Sequence, residues 1–187
     1  ALRIAEVVKA NRVVVVNGQN FPDSISAAPL AAQRGYPIIL TPPDQLEEGL
    51  KEALEAMNLT QIYIVGGEAA VSPEVERELE AIAPVKRNFG SNRYKTNIAA
   101  IKAFLGAQNL AGKQVYVATG NDFADALTGG VLAAREGTAV MLVGNKLDPA
   151  HRSFLKDTPI KELIFFGGEQ AVSNEVAVDL LNEMYGK

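Results

Sequence analysis

Short apolar runs alternate with amphipathic stretches along the whole chain. Val13 to Val16 and Ile62 to Val65 are runs without a charged residue. The stretch between them carries Leu46, Leu50 and Leu54 at four-residue spacing. Unbroken runs of this length predict strands buried on both faces, whereas the wider spacing predicts a helix. Strands that alternate with helices predict an α/β fold with a parallel sheet covered by helices.

The same pattern places the elements along the chain. In the first half it predicts strands at 13–16, 37–40 and 62–65, with helices at 2–11, 24–34, 46–57 and 73–82. In the second half it predicts strands at 115–118, 139–143 and 163–166, with helices at 98–105, 125–135, 151–156 and 173–184. Pro29 lies inside one predicted helix, where we expect a kink or a restart because proline removes a backbone donor. Ile38, Ile39 and Leu40 are expected to be core positions of their strand.

A glycine turn between a strand and a helix occurs twice. The segment from Gly66 to Ser72 returns as the segment from Gly167 to Ser173. Further identities pair the two halves: Gly18, Phe21, Asp23, Leu30, Ala31, Ala32, Gly35 and Leu40 match Gly120, Phe123, Asp125, Leu132, Ala133, Ala134, Gly137 and Leu142. This repetition predicts two tandem modules, residues 1–90 and 91–187. Because the polar link around Arg93 occurs once, we expect the chain to come from a longer array of repeats.

Composition limits the classes of partner. The chain has 187 residues and a net charge of −4, so we expect neither a nucleic acid nor a membrane as partner. The absence of cysteine excludes thiol nucleophiles and cysteine metal sites. His151, the single histidine, lies near a predicted helix start among polar residues and is expected to be solvated. We therefore expect no metal site and no cofactor.

The candidate site residues lie where the predicted strands end, since ligands of parallel α/β sheets gather at that edge. They are Gly66, Gly67 and Glu68 in module 1, and Gly167, Gly168 and Glu169 in module 2. The backbone N–H groups of such turns suit phosphate or carboxylate oxygens, although the glycines also serve close packing alone. Asp23 and Asp125 begin their helices, either as caps or as residues that order the turn beneath a sugar.

The link between the modules supplies the cationic candidates. Arg87 and Arg93 suit an anionic polymer because a guanidinium binds phosphate or carboxylate at two points. Alternatively, Arg93 pairs with an acidic residue such as Glu68 and fastens one module to the next. Tyr94 either stacks on a sugar or fills the module interface.

These motifs resemble a known family, the cell-wall-binding repeat type 2 of Gram-positive surface proteins. The resemblance rests on four segments: Asn17 to Ala31, Pro37 to Thr41, the repeated Val-Gly-Gly-Glu turn and the link from Arg87 to Thr96. It implies Rossmann-like modules, usually three around a pseudo-threefold axis, that hold a protein non-covalently on an anionic secondary wall polymer. This chain departs from that pattern in having two modules.

The sequence therefore predicts an extracellular binding protein of the cell wall that is not an enzyme. The first alternative is a nucleotide- or sugar-binding enzyme of Rossmann-like fold, although the glycine turn matches neither G-x-G-x-x-G nor a P-loop. A paired acid and base for glycoside cleavage is also disfavoured, because serial repeats seldom duplicate an active site. The second alternative is an assembly domain, in which a homo-oligomer supplies the missing third module.

Overall fold

The computed structural model describes residues 2–186, apart from the side chain of Glu6. Helices and strands alternate in it along the chain. In the first half these are α1 (Leu2–Val8), β1 (Arg12–Asn17), α2 (Phe21–Arg34), β2 (Ile38–Thr41), α3 (Glu48–Glu55), β3 (Gln61–Val65), α4 (Pro73–Glu80) and β4 (Val85–Asn88). In the second half these are α5 (Arg93–Phe104), α6 (Ala107–Leu110), β5 (Gln114–Thr119), α7 (Ala124–Glu136), β6 (Val140–Val143), α8 (Pro149–Asp157), β7 (Glu162–Phe165) and α9 (Asn174–Tyr185).

The strands form two separate parallel sheets, one in each module. The first has the order β2-β1-β3-β4 and the second the order β6-β5-β7. Val14 pairs with Ile38, and Tyr116 pairs with Val140 at the matching place in module 2. The central strand β1 is buried from Val13 onwards because helices cover both faces of its sheet. The predicted α/β class with two tandem parallel modules is confirmed.

Several local predictions differ from the structure. Strand β4 was missed because Lys86, Arg87 and Asn88 interrupt any apolar run, yet it pairs with β3 through its backbone. Because β4 is an edge strand, it does not need apolar residues on both of its faces. Helix α2 begins at Phe21 and continues through Pro29, so the expected restart there is wrong. It ends at Gly35, which adopts the left-handed conformation that glycine tolerates best.

One hydrophobic core runs across both modules. Val16 and Leu30 of module 1 belong to the same buried cluster as Ile101, Val117 and Met141 of module 2. Helix α5 lies between the modules and packs on α2 on one side and on β6 on the other. The two repeats are therefore joined by a shared apolar interface as well as by the chain itself.

No helix within residues 2–186 has the length and apolar character needed to cross a bilayer.

Candidate functional site at the junction of the modules

The link between the modules is a tight turn that sets the start of α5. Asn92 caps the helix, since its side chain accepts a hydrogen bond of 2.9 Å from the backbone N–H of Lys95. The backbone N–H of Gly90 donates to the hydroxyl of Thr96 at 3.0 Å. A Cβ on Gly90 would lie 2.9 Å from the backbone nitrogen of Thr96, so this turn requires glycine. The turn places Arg93 in the first position of the helix.

Arg93 contacts both modules. Its guanidinium donates a hydrogen bond of 2.6 Å to the carbonyl oxygen of Gly120, at the end of β5. The same guanidinium lies over the ring of Phe21, with 5.9 Å between Cζ and the ring centroid. The acidic residue whose pKa is lowered by the charge of Arg93 is Asp23. The suggested partner Glu68 is exposed instead. Arg93 therefore fastens the modules, as one interpretation of the sequence held, but not through Glu68.

Asp23 packs against the glycine turn of its own module. It is the third residue of α2, whose N-cap is Asn20, so the capping interpretation of Asp23 is wrong. A Cβ on Gly66 would lie 2.7 Å from Oδ2 of Asp23, and Gly66 has a φ of +133°. Burial raises the pKa of Asp23, and the Arg93 guanidinium has a smaller, opposite effect, so the resulting pKa is about 6. A carboxylate thus lies at the carboxyl edge of the first sheet, within range of the charge of Arg93.

Module 2 repeats the contact between aspartate and glycine. Asp125 is the second residue of α7, whose N-cap is Phe123, so Asp125 does not cap either. A Cβ on Gly167 would collide with Oδ2 of Asp125, and Gly167 has a φ of +86°. The first glycine of each turn is therefore required for packing, because any side chain there would displace the aspartate.

The remaining turn residues lie at the surface. Glu68 and Glu169 are exposed, and Glu169 accepts a hydrogen bond of 2.8 Å from the side chain of Asn174. Gly67 lies beside the half-exposed ring of Phe89, whereas Gly168 has open space around it.

Arg87 lies inside module 1. Its side chain is 8% exposed and forms an ion pair of 2.8 Å with Glu76 of α4. It also donates a hydrogen bond of 3.0 Å to the carbonyl oxygen of Gly66. These bonds occupy the guanidinium and tie β4 to the glycine turn, which argues against a direct polymer contact by Arg87.

Tyr94 packs against the edge of module 2. A Cβ on Gly120 would lie 2.8 Å from Cε1 of Tyr94, and one on Gly144 would lie 2.8 Å from Cζ. The hydroxyl of Tyr94 donates to Oδ1 of Asn121 at 3.2 Å. Tyr94 also packs against the buried cluster that contains Ile25 of module 1, which corresponds to the suggested role of filling the module interface.

His151 is buried, so the expectation that it is solvated is wrong. Its Nδ1 accepts a hydrogen bond of 3.1 Å from the backbone N–H of Asp148, and its Nε2 lies 2.9 Å from the carbonyl oxygen of Leu142. With Nδ1 as an acceptor, Nε2 carries the proton and donates. Burial lowers the pKa of His151, so the neutral imidazole is favoured. The sequence signal was Asp148-Pro149 three residues earlier, which is typical of a capped helix start.

A groove beside Arg93 was missed in the sequence. It has a volume of about 450 Å³ and lies between the start of α2 and the start of α7. Its lining comprises Gly18, Gln19, Asn20, Phe21, Ser24, Ile25, Leu40, Phe123 and Leu127. Phe21 and Phe123 pack edge to face across it, with 5.9 Å between their ring centroids. Leu40 was expected in the core but is 52% exposed, because the sheet edge at β2 is left uncovered there.

The described residues form no group of three or more histidine, cysteine, aspartate or glutamate side chains that could hold a metal ion.

Comparison with known proteins identifies the family. The chain matches the family model described as Cell wall binding domain 2 (CWB2) over residues 1–76 and 87–177. The chain belongs to the CWB2 family. The resemblance inferred from the motifs is thereby confirmed, and the second matched segment contains the link with Arg93 and Tyr94.

Two proteins of Bacillus subtilis (strain 168) are similar to the chain. The N-acetylmuramoyl-L-alanine amidase LytC is 34% identical over 169 residues, which cover 89% of this chain and 33% of the relative. The amidase enhancer is 32% identical over 177 residues, which cover 94% of this chain and 23% of the relative. The chain thus spans a third or less of these relatives, and their names describe proteins with much more sequence than is matched.

Two solved structures from Clostridium difficile share the fold. Cwp8 superposes with a TM-score of 0.81 at 29% identity, covering 100% of this chain and 32% of that chain. Cwp6 superposes with a TM-score of 0.85 at 24% identity, covering 98% of this chain and 29% of that chain. The paired modules seen here therefore recur within longer proteins.

Proposed function

We propose that this CWB2 chain attaches a protein to the Gram-positive cell wall by binding an anionic secondary polymer at the junction of its modules. The observation that carries the proposal is the position of Arg93, at the junction and beside the groove that contains Phe21. One of its donors is occupied by the Gly120 carbonyl oxygen. A guanidinium has five N–H donors, so several remain for a phosphate or carboxylate of the polymer.

The groove suits the sugar part of such a polymer. Exposed Leu40 and Phe123 supply apolar surface against which the carbon face of a sugar ring packs. Gln19 and Asn20 supply amide groups at the rim for the sugar hydroxyls. Arg93 would then provide charge and the groove would provide shape, which is the usual division of roles in a binding site.

The proposed action is passive binding at the outside of the cell, with no reaction and no cofactor. In this proposal residues 1–90 and 91–187 act as two units of one attachment surface. Linking such units strengthens attachment because each additional contact forms at high effective concentration. Of the predicted binding residues, Arg93 has the most direct role, while Asp23 and Gly66 shape the turn beside it.

The test is the affinity for purified Gram-positive walls as a function of salt. We expect Arg93→Gln to weaken binding about tenfold and to reduce the salt dependence by about one released counterion. Arg135→Gln is the matched control, because Arg135 is an exposed arginine at the far end of α7. Equal effects of the two substitutions would reject the proposed role of Arg93.

A separate proposal concerns the exposed face of α7. In α2, Phe21, Ile25 and Pro29 are half-buried or buried, and α2 packs against α7. The counterparts of Ile25 and Pro29 on α7 are Leu127 and Val131, which form an exposed apolar stripe.

We infer that the α7 stripe receives another CWB2 module, either from elsewhere in the same protein or from a second copy of this chain. Light scattering at increasing protein concentration distinguishes these sources. A strict monomer excludes the second copy, whereas a dimer or trimer abolished by Leu127→Glu supports it.

A further inference from the structure

A polar cavity lies at the amino end of β5, the opposite end of that strand from Gly120. It has a volume of about 230 Å³ and is lined by Gly112, Lys113, Gln114, Glu136, Thr138 and Lys161. Gln114 is the first residue of β5, and Glu136 is the last residue of α7. A cavity of this size suits a small molecule rather than a polymer, because drug-sized ligands already occupy about 300 Å³ or more.

Two lysines flank the cavity on segments that are tied to each other. The backbone N–H of Gly112 donates to the carbonyl oxygen of Pro159 at 2.8 Å. The backbone N–H of Lys161 donates to the carbonyl oxygen of Lys113, also at 2.8 Å. These bonds hold the two segments side by side, so the lysine backbones are in position before a ligand binds. The ammonium group of Lys113 donates to the carbonyl oxygen of Gly137 at 2.8 Å, and its other N–H donors can bind a ligand.

The carboxylate of Glu136 is held in place from beneath the cavity. The hydroxyl of Tyr116 donates to its Oε2 at 2.6 Å, and the side-chain amide of Gln114 donates to the same oxygen at 2.7 Å. Tyr116 is 1% exposed, so its hydroxyl fixes Glu136 from the core of the module. A carboxylate accepts several hydrogen bonds, so Glu136 can also accept from the ammonium group of a ligand.

Module 1 has different residues at the matching positions. Val14 takes the place of Tyr116 in the central strand, and Arg34 takes the place of Glu136 at the end of the helix. Arg34 donates to the carbonyl oxygen of Phe104 at 2.6 Å, which is a contact between the modules. The fold of a module therefore requires neither the tyrosine nor the glutamate, and their pairing is a feature of module 2.

We propose that this cavity binds a free acidic amino acid, such as glutamate or aspartate. The lining carries two ammonium groups and one carboxylate, whereas an acidic amino acid carries two carboxylates and one ammonium group. Each charge of the ligand thus has a partner of opposite sign: Glu136 binds its ammonium group, and Lys113 and Lys161 bind its carboxylates. This inference is independent of the polymer site at the junction, since it uses other residues at the opposite end of β5.

The same charges discriminate against related ligands. N-acetylglutamate has both carboxylates but no ammonium group, so the carboxylate of Glu136 repels it. Glutamine has the ammonium group but only one carboxylate, so one of the two lysines is left without an anionic partner. Selectivity for the amine therefore depends on Glu136, and selectivity for the second carboxylate depends on the lysines.

The experiment is an NMR titration of the whole chain with glutamate, glutamine and N-acetylglutamate at neutral pH and constant ionic strength. Glu136→Gln removes the negative charge but keeps an acceptor for Tyr116, and Lys161→Gln removes one positive charge. Glu162→Gln is the matched control, because Glu162 is exposed next to Lys161 but is not one of the residues that line the cavity. Circular dichroism checks that each variant is folded.

We expect glutamate to shift the amide resonances of Gly112, Gln114 and Thr138 in a saturable manner. It should bind about fivefold more tightly than glutamine or N-acetylglutamate, the factor expected for one charge pair at a solvated site. Lys161→Gln should weaken glutamate binding by a similar factor.

Glu136→Gln provides the sharpest result, because it should weaken the binding of glutamate and strengthen that of N-acetylglutamate. A gain in affinity cannot come from damage to the fold. Glu162→Gln should leave all three affinities unchanged. The inference is overturned if glutamate causes no saturable shift in the unaltered chain, or if Glu136→Gln does not strengthen the binding of N-acetylglutamate.

Discussion

The side-chain oxygen of Asn97 accepts a hydrogen bond of 2.9 Å from the backbone N–H of Leu142. The amide nitrogen of Asn97 also donates to the carbonyl oxygen of Val140 at 3.0 Å. Strand β6 forms the edge of its sheet, so these backbone groups have no neighbouring strand. One asparagine on α5 thus satisfies two backbone groups at the edge of the sheet in module 2.

Replacing Asn97 by alanine should destabilise the chain strongly. The substitution leaves the N–H of Leu142 and the oxygen of Val140 buried without partners, at a cost of about 3 kcal/mol in the free energy of unfolding. Asn109→Ala is the control, because Asn109 is exposed and its side chain bonds only to the carbonyl oxygen of Leu105 in its own segment. Urea denaturation measures both. Similar losses in the two variants would contradict the role assigned to Asn97.

Arg87→Ala should reduce stability more than it reduces binding. It removes the ion pair with Glu76 and the bond to the Gly66 carbonyl, which should cost about 2 kcal/mol because the arginine is buried. Arg77→Ala should cost less than about 0.5 kcal/mol, since Arg77 is 68% exposed in its ion pair with Glu74. Chemical denaturation gives both values. Loss of wall binding by a fully folded Arg87→Ala protein would show that Arg87 contacts the polymer after all.

Neighbouring glycines of the second turn should tolerate a methyl group very differently. Gly167→Ala forces a residue with a side chain into a φ of +86° and against Asp125, so we expect a loss of about 2 kcal/mol or more. Gly168→Ala meets nothing within 4 Å and should be close to neutral. Thermal unfolding of the two variants tests this, and an equal shift in Tm would show that the turn does not require glycine at its first position.

His151 should make the chain less stable as the pH falls. Its pKa in the folded protein is lowered by burial, so the unfolded chain binds the proton more tightly than the folded chain. The free energy of unfolding should therefore decrease as the pH falls below about 6.5, the ordinary histidine value. Protonation would remove the Nδ1 lone pair that accepts from Asp148.

The pH effect of Asp23 has the opposite sign and must be separated from that of His151. Because burial raises the pKa of Asp23, the folded chain binds that proton more tightly, and stability increases as the pH falls through about 6. The free energy of unfolding is therefore measured as a function of pH in the Asp23→Asn variant, with and without His151→Gln. The double variant should lose the decrease below pH 6.5, and an unchanged pH profile would exclude His151 as its cause.

The fold could be predicted because its signals are local. Runs such as Val13 to Val16 identify buried strands, and the repeated glycine turns reveal the duplication without any knowledge of long-range contacts. Strand β4 was not predicted from the sequence, because it pairs with β3 through its backbone and its own residues are mostly polar. The burial of His151 was missed for a similar reason, since the ring of Tyr94, whose centroid lies 6.0 Å from that of His151, comes from a distant part of the chain.

The sequence predicted which residues belong to the site, but not which of them lie next to each other. The sequence selected Asp23, Gly66 and Arg93 separately, because strand ends and cationic links are visible as patterns. That Arg93 lies over Phe21 and beside Asp23 depends on how α5 packs between the modules. Arg87 and Arg93 looked alike in sequence, yet one is internal and the other lies at the junction, because burial is decided by the fold.

Attachment to the anionic polymer is tested by sedimentation with purified walls before and after that polymer is removed. We predict that the chain sediments with intact walls at low salt, is released as salt increases, and stays in solution when the walls have been stripped of the polymer. Equal sedimentation with intact and stripped walls, unaffected by salt, would contradict it.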